Sequence, residues 1–271
     1  VLEYIIKHLR FEPAFEKYER YKEKVGESGI PLTVVGFWPP GEMGESCPMH
    51  QILRDFLGYE QGFLHLMYKH PEEVHSLLEV VTNKAEEMQE VVLDSPAEIV
   101  MHGAHFDIQM TPPDIFEKYF VPYFKDFADK LHEKGKKLGC HLDADTADLM
   151  ELVVESNFDF GECFATQPLV NKTSIEEVRE KYSEDFIIWG GIPSIVFEPN
   201  YDQEKFESYM SKLFRAIAPG NNFILGIADN LMPSSDFAKF ARISKAVKDN
   251  GDYPINPDKF NPFPNYENLP E

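Results

Sequence analysis

The chain reads as an α/β protein: a (β/α)8 barrel of the TIM type, with its first strands missing from this sequence. Three observations predict that class. From about residue 31 onward, short apolar runs alternate with longer amphipathic stretches, the pattern of a parallel sheet covered by helices. Each run closes on glycine or a polar residue, as a buried parallel strand does. No glycine-rich phosphate fingerprint follows any run, so a doubly wound dinucleotide fold has no positive support.

Residues 1–30 read as an N-terminal helix and a charged linker. Strands are expected at 31–37 (PLTVVGF), 98–102 (EIVMH), 136–141 (KKLGCH), 158–162 (FDFGE), 186–190 (FIIWG) and 222–226 (NFILG). Those are six, where a complete barrel has eight, so the expectation is a single partial barrel spanning 1–271. Between the strands run helices of 3.6-residue period. Val74, Leu77, Leu78, Val81, Ala85, Met88 and Val92 form one apolar stripe, after Pro71. Ile115, Phe116, Tyr119, Phe120, Phe124, Phe127 and Leu131 form the next. Phe206, Tyr209, Met210, Leu213, Phe214 and Ile217 form a third, and Phe237, Phe240, Ala241, Ser244 and Val247 a fourth. Stripes of this spacing are core faces. Residues 252–271 hold five prolines and little periodicity, and read as an irregular tail.

Charge narrows the partners. With 47 acidic and 26 basic residues the formal charge is −21, which repels nucleic acid and anionic membranes. No apolar run approaches the length of a membrane span. Only six residues are arginine, too few for a site that clamps many carboxylates in bidentate pairs. Cys47, Cys140 and Cys163 are far apart and odd in number, which fits a reducing compartment, so a cytoplasmic location is expected. The sequence opens on Val1, and no signal-peptide pattern is visible.

The stretch GKKLGCHLDAD at 135–145 carries the most chemistry. An apolar run ends in His141, and Asp143 follows at the second position; residues i and i+2 of an extended segment point the same way. An imidazole beside a carboxylate binds metals or moves protons. In a parallel barrel every strand opens onto one mouth, so the groups after the other strands join this pair. They are His105 and Asp107 after the second strand, Glu162 and Cys163 after the fourth, and Asp229 after the sixth. His105, Asp107 and His141 are the candidate catalytic groups. Cys163 fits three roles: zinc ligand, nucleophile, or small buried residue, with the buried role favoured because no C-x-x-C partner exists. Cys140 alternates away from His141 and should pack. His65, His70, His75 and His132 fall on or near helices, and His102 is peripheral. Asp145 and Thr146 are expected to cap the next helix. The loop from Gly36 to Gly44 is rich in Gly, Pro and aromatics; it suits a pocket for a flat ligand, with Phe37 and Trp38 lining it, as well as a rigid connector.

The order of these pieces resembles the uroporphyrinogen decarboxylase superfamily, over residues 31–250. The matching runs are PLTVVGFWPP, HPEEVHSLLEVVT, TPPDIFEKYFVPYFKDFADKLHEKGKKLGCHLDAD and NFDFGECFATQPLVNKTSIEEVREKYSEDFIIWGGI. The resemblance implies a barrel whose mouth holds the substrate. It also implies methyl transfer between a small methylated substrate or acceptor and a corrinoid, assisted by zinc, with the corrinoid carried by a partner protein. The methyltransferase branch has His-x-Cys where this chain has His141 and Asp143, and a late Cys near Ile227, Ala228 and Asp229. The implied metal ligands are therefore His141 and Asp143, with Glu162, Cys163 or Asp229 completing the set. Two other outcomes stand beside this one. Uroporphyrinogen decarboxylation is the first, although the Arg-rich N-terminal segment that branch uses is absent. The second is a degenerate barrel that binds a ligand or partner without chemistry.

Overall fold

All six expected runs form strands: β1 Thr33–Val34, β2 Ile99–Met101, β3 Lys137–His141, β4 Phe160–Phe164, β5 Ile187–Pro193 and β6 Phe223–Ala228. The computed structural model describes residues 1–35, 47–104, 106–108, 110–182 and 185–266. Strands and helices alternate along the chain, a TIM-barrel-like α/β arrangement. The chain divides into two compact units, Val1–His141 with Glu151–Asp159, and Leu142–Met150 with Phe160–Glu271.

In the first unit β1 pairs with β2 and β2 with β3, both parallel. The helix Pro71–Leu93 starts on a proline, with Glu72 and Glu73 in its first turn, where the helix dipole favours acids. It buries Val74, Val81, Ala85, Met88 and Leu93. Residues 113–133 are helical throughout, with a looser π turn at Phe116–Phe120. Their aromatic stripe is core: Phe116, Phe120, Phe124 and Phe127 are fully buried. Phe106 meets Phe116 edge-on at 4.9 Å, and Phe124 packs on Phe158 at 4.9 Å. Because Phe106 is locked in this cluster, the backbone after β2 is fixed beside it. The helix Leu2–His8 is tied down by Ile6, and Lys84 Nζ donates to the Leu9 carbonyl at 3.1 Å.

In the second unit β4–β5 and β5–β6 are parallel pairs. The helix Ile175–Lys181 begins with a capping box between Ser174 and Glu177. The helix Gln203–Ile217, capped by Asp202, buries Phe206, Met210, Leu213, Phe214 and Ile217. The tail beyond residue 251 is irregular apart from a short turn at Pro257–Phe260, and it is packed: Phe260 stacks on Phe214 at 3.6 Å between ring centres.

The helix Phe237–Asn250 buries a different face from the expected one. Phe237 and Phe240 are exposed, while Lys239, Arg242, Ile243 and Ala246 point inward. The cause is polar. Lys239 Nζ donates to the carbonyls of Val196, Glu198 and Tyr201 at 3.2, 3.1 and 3.0 Å. Arg242 pairs with Glu207 at 2.7 Å and donates to the carbonyls of Pro264 and Phe263 at 2.6 and 3.0 Å. Carbonyls of irregular backbone need donors when buried, and these two cations supply them. Arg242→Met should therefore destabilise the chain by about 1–3 kcal/mol, the result of leaving the Pro264 and Phe263 carbonyls without donors, read as the shift in a urea unfolding midpoint. A change below about 1 kcal/mol would mean that the pair behaves as a surface contact.

Candidate functional site

The chemistry centres on a break in the regularity of β4. In a parallel ladder a residue whose N–H donates to residue i has its C=O accept from residue i+2. Leu142 N–H donates to the Glu162 carbonyl at 2.7 Å, but Leu142 C=O accepts from Ala165 N–H at 3.1 Å. One extra residue is thus inserted in β4, and the β4–β5 register shifts over the same interval, between Gly161 and Phe164. Cys163 absorbs the insertion with φ of 59°, an unusual value for a side chain other than glycine. A bulge re-aims side chains, so Glu162 and Cys163 escape the strict alternation of a strand. Cys163 lies inside β4, which runs past the expected end at Glu162 to Phe164.

Cys163 is buried, and its Sγ–H donates to Asp229 Oδ1 at 3.6 Å, directly after β6. Burial pushes the thiol pKa well up, and the charges of Glu162, Asp229 and Asp143 push it further. Its apolar side rests on Ala165 and Ala228. A sulfur ringed by carboxylates stays protonated until a cation arrives. His141, 8% exposed, closes β3, and its backbone N–H donates to the Gly103 carbonyl at 2.8 Å. Glu162 and Cys163 adjoin within β4 of the second unit, and His141 closes β3 in the first.

The remaining predicted residues fall as follows. Asp143 and Asp229 are half-buried, and both act on the Cys163 thiol. Asp107 is half-buried, and its carbonyl accepts from the amides of Met110 and Thr111. His105, Phe37 and Trp38 lie outside the described residues. His102 is fully buried, with Nδ1 3.1 Å from the Val35 carbonyl and Nε2 3.0 Å from the Tyr123 hydroxyl, and it ties the backbone after β1 to β2. Cys140 packs in the core.

Two features escaped the sequence. Near Asp107, the buried His50 holds the Tyr59 hydroxyl at 2.5 Å. Burial, together with the charges of Asp55, Cys47 and Asp107, pushes that hydroxyl up to about 12 against the opposing pull of Arg54. Thr146 stands at the N-cap of the short turn Ala147–Leu149 but makes no side-chain cap bond to it, and Asp145 does more than accept the Ala147 amide. Its carboxylate takes the Thr173 hydroxyl at 2.7 Å and the amides of Lys172 and Asn171 at 2.9 and 3.2 Å. Burial would raise the Asp145 pKa, but these donors and the Ala147 amide outweigh it and hold the carboxyl below its ordinary value. A depressed folded-state pKa stabilises above the unfolded value and is lost as pH falls through the folded one. Asp145→Asn should then weaken the protein by about 1–2 kcal/mol at pH 7. The gap to wild type should close as pH falls below the ordinary aspartate value, about 3.9. Denaturant melts at pH 7 and pH 3 measure it, and a pH-independent gap would refute the clamp.

A family model described as uroporphyrinogen decarboxylase (URO-D) matches residues 58–250. No curated protein matches the chain. Among solved structures, a methyltransferase from Methanosarcina mazei superposes with a TM-score of 0.56 at 12% identity, over 82% of this chain and 59% of its own. That likeness shows the fold. The chain spans about 59% of the methyltransferase's length. A FabK mutant from Thermotoga maritima (TM-score 0.31, 14% identity, 84% of this chain and 71% of its own) also matches. So does an octameric Rubisco from Pyrococcus horikoshii OT3 (TM-score 0.33, 13% identity, 90% of this chain and 63% of its own). Both scores are too low to support a structural argument.

Proposed function

We propose, from the premise that the chain belongs to the uroporphyrinogen decarboxylase (URO-D) family, that it is an enzyme of the methyltransferase kind within that family. It moves a methyl group between a small methylated substrate or acceptor and a corrinoid carried by a partner protein. The observation that carries this reading is the Cys163 thiol, held on Asp229 and set among the charges of Glu162 and Asp143, to which the resemblance adds the His141 imidazole. An imidazole nitrogen, a carboxylate oxygen and a sulfur are the three donor types zinc takes, and catalytic zinc sites use three protein ligands with one position open. When bound there, zinc supplies Lewis acidity to a methyl donor or lowers the pKa of an acceptor thiol.

The chain's own residues prepare that site. The β4 bulge turns Glu162 and Cys163 out of alternation. Asp229 accepts the Cys163 S–H and orients the sulfur, and it is a base in place for the proton that leaves when the thiolate forms. Asp143, Glu162 and Asp229 concentrate negative charge on the thiol, which favours a divalent cation. The same charge disfavours a polycarboxylate substrate, which sets this reading above porphyrinogen decarboxylation. The acidic surface, with its charge of −21, is the proposed steering field for a complementary partner.

The test is metal content of the purified protein together with methyl transfer to free cobalamin. Stoichiometric zinc with transfer supports the reading. Absence of both favours a barrel that only binds, and decarboxylation of uroporphyrinogen favours the carboxy-lyase.

A further inference from the structure

Three histidines of the first unit, His65, His70 and His75, follow one another at equal spacing and take no part in the chemistry proposed above. The helix Tyr59–Leu64 runs on through a π turn, His65–Lys69. His70 N–H then donates to the His65 carbonyl at 2.9 Å, closing that wider turn. A π turn brings residue i+5 over residue i, where an α-helix pairs i with i+3 and i+4. The imidazoles of His65 and His70 therefore stand side by side, with ring centres 5.1 Å apart and planes tilted by 37°. His75 is outside the pair, because its Nε2 lies 2.8 Å from the Tyr119 hydroxyl.

Glu73 sets the chemistry of His70. Its Oε1 lies 3.3 Å from His70 Nδ1. A carboxylate only accepts, so the neutral ring carries its proton on Nδ1 and keeps a lone pair on Nε2. Histidines that bind metals are oriented in this way, with the second nitrogen donating to a carboxylate. On His65, Nδ1 is closed to solvent and has no hydrogen-bond partner among the described residues, so Nε2 is the nitrogen that an ion in solution can reach. With a metal–nitrogen distance of about 2.0–2.1 Å, two rings on one tetrahedral ion have centres roughly 5 Å apart. The observed spacing meets that requirement.

The local field suits a cation. His70 stands where one helical stretch ends and the next begins, so the carbonyl end of the first offsets the amide end of the second. Glu72 and Glu73, in the first turn of Pro71–Leu93, outweigh the charge of Lys69. The Glu73 carboxyl is held below its ordinary value by its own backbone amide and by the His70 ring, and the charge of His65 adds to the effect. One carboxylate thus senses both imidazoles.

We propose that His65 and His70 form an exchangeable surface site for a divalent transition-metal ion, bound through both Nε2 atoms while Glu73 orients His70. Imidazole pairs of this kind suit nickel, copper and zinc. Two protein nitrogens hold an ion more loosely than the three ligands of a catalytic site, so gel filtration empties this one, and metal retained through purification does not report it. Nickel(II) is the probe. Equilibrium dialysis of the whole chain at micromolar free nickel should show one equivalent more on wild type than on His70→Asn or His65→Asn. Glu73→Gln should weaken that equivalent about tenfold, and His75→Asn should leave it intact. Nickel should also raise the melting temperature of wild type more than that of His70→Asn, because an ion held only by the folded chain stabilises it. If His65→Asn fails to fold, His70→Asn decides, since its side chain is 54% exposed. Equal nickel on wild type and His70→Asn, or an equal loss in His75→Asn, would overturn the proposal. The difference of one equivalent depends neither on the Cys163 site nor on methyl transfer.

Discussion

Replacing His141 with alanine is expected to strip bound zinc from the protein and abolish methyl transfer while leaving the chain folded. His141 is the one nitrogen donor among the ligands the family resemblance implies, with Asp143, Glu162, Cys163 and Asp229, and zinc that loses one of its few protein ligands is weakly held. The fall in zinc affinity should exceed about 100-fold, the upper end of what losing an outer hydrogen-bonding partner produces. Asp143→Ala should do less, because Asp143 acts on Cys163 through charge. Folding should survive because the backbone bond from His141 N–H to the Gly103 carbonyl does not involve the side chain. The measurements are metal content, transfer to cobalamin and far-UV circular dichroism for wild type, His141→Ala and Asp143→Ala. A zinc-loaded, fully active His141→Ala protein would remove the metal assignment. The residue would then be a loop anchor worth about 1 kcal/mol.

Much of this was legible in the sequence because it depends on local pattern. Strand positions came through because each short apolar run is bounded by polar residues or glycine, and the Phe116, Phe120, Phe124, Phe127 stripe came through because its period is helical. What failed depends on partners far away in the chain. The helix Phe237–Asn250 turns inward its cations, not its phenylalanines, because carbonyls at Val196 and Phe263 need donors, and no local period encodes that. His141 and Cys163 could be picked out as strand-end groups, but the bulge could not. It exists only in how Leu142 spans Glu162 and Ala165, a matter of pairing rather than composition. The His50–Tyr59 pair beside Asp107 was hidden for the same reason. The one signal available was a polar residue, His50, inside an otherwise apolar turn.

Gly103→Ala is expected to cause the largest loss of stability of any single methyl addition discussed, about 2–5 kcal/mol. Two causes add. Gly103 has φ of +90°, where an L side chain is strained, by roughly 1–2 kcal/mol. A Cβ there would also lie 2.7 Å from Phe124 Cζ and 2.8 Å from Phe106 Cζ, and forcing a methyl into a packed aromatic core adds about 1–3 kcal/mol. Gly135 separates the two. It has φ of +72° but nothing within 4 Å of the added Cβ, so Gly135→Ala should carry the backbone penalty alone. Urea unfolding of both variants, with slopes unchanged from wild type, gives the packing contribution as their difference. Equal losses would mean that the rings of Phe106 and Phe124 move aside freely, and the cluster would not be the rigid seat of the backbone after β2. A large excess for Gly103→Ala would show that seat to be stiff. The same substitution would then displace the Gly103 carbonyl that holds the His141 amide, and zinc affinity in Gly103→Ala should fall with stability, whereas in Gly135→Ala it should not.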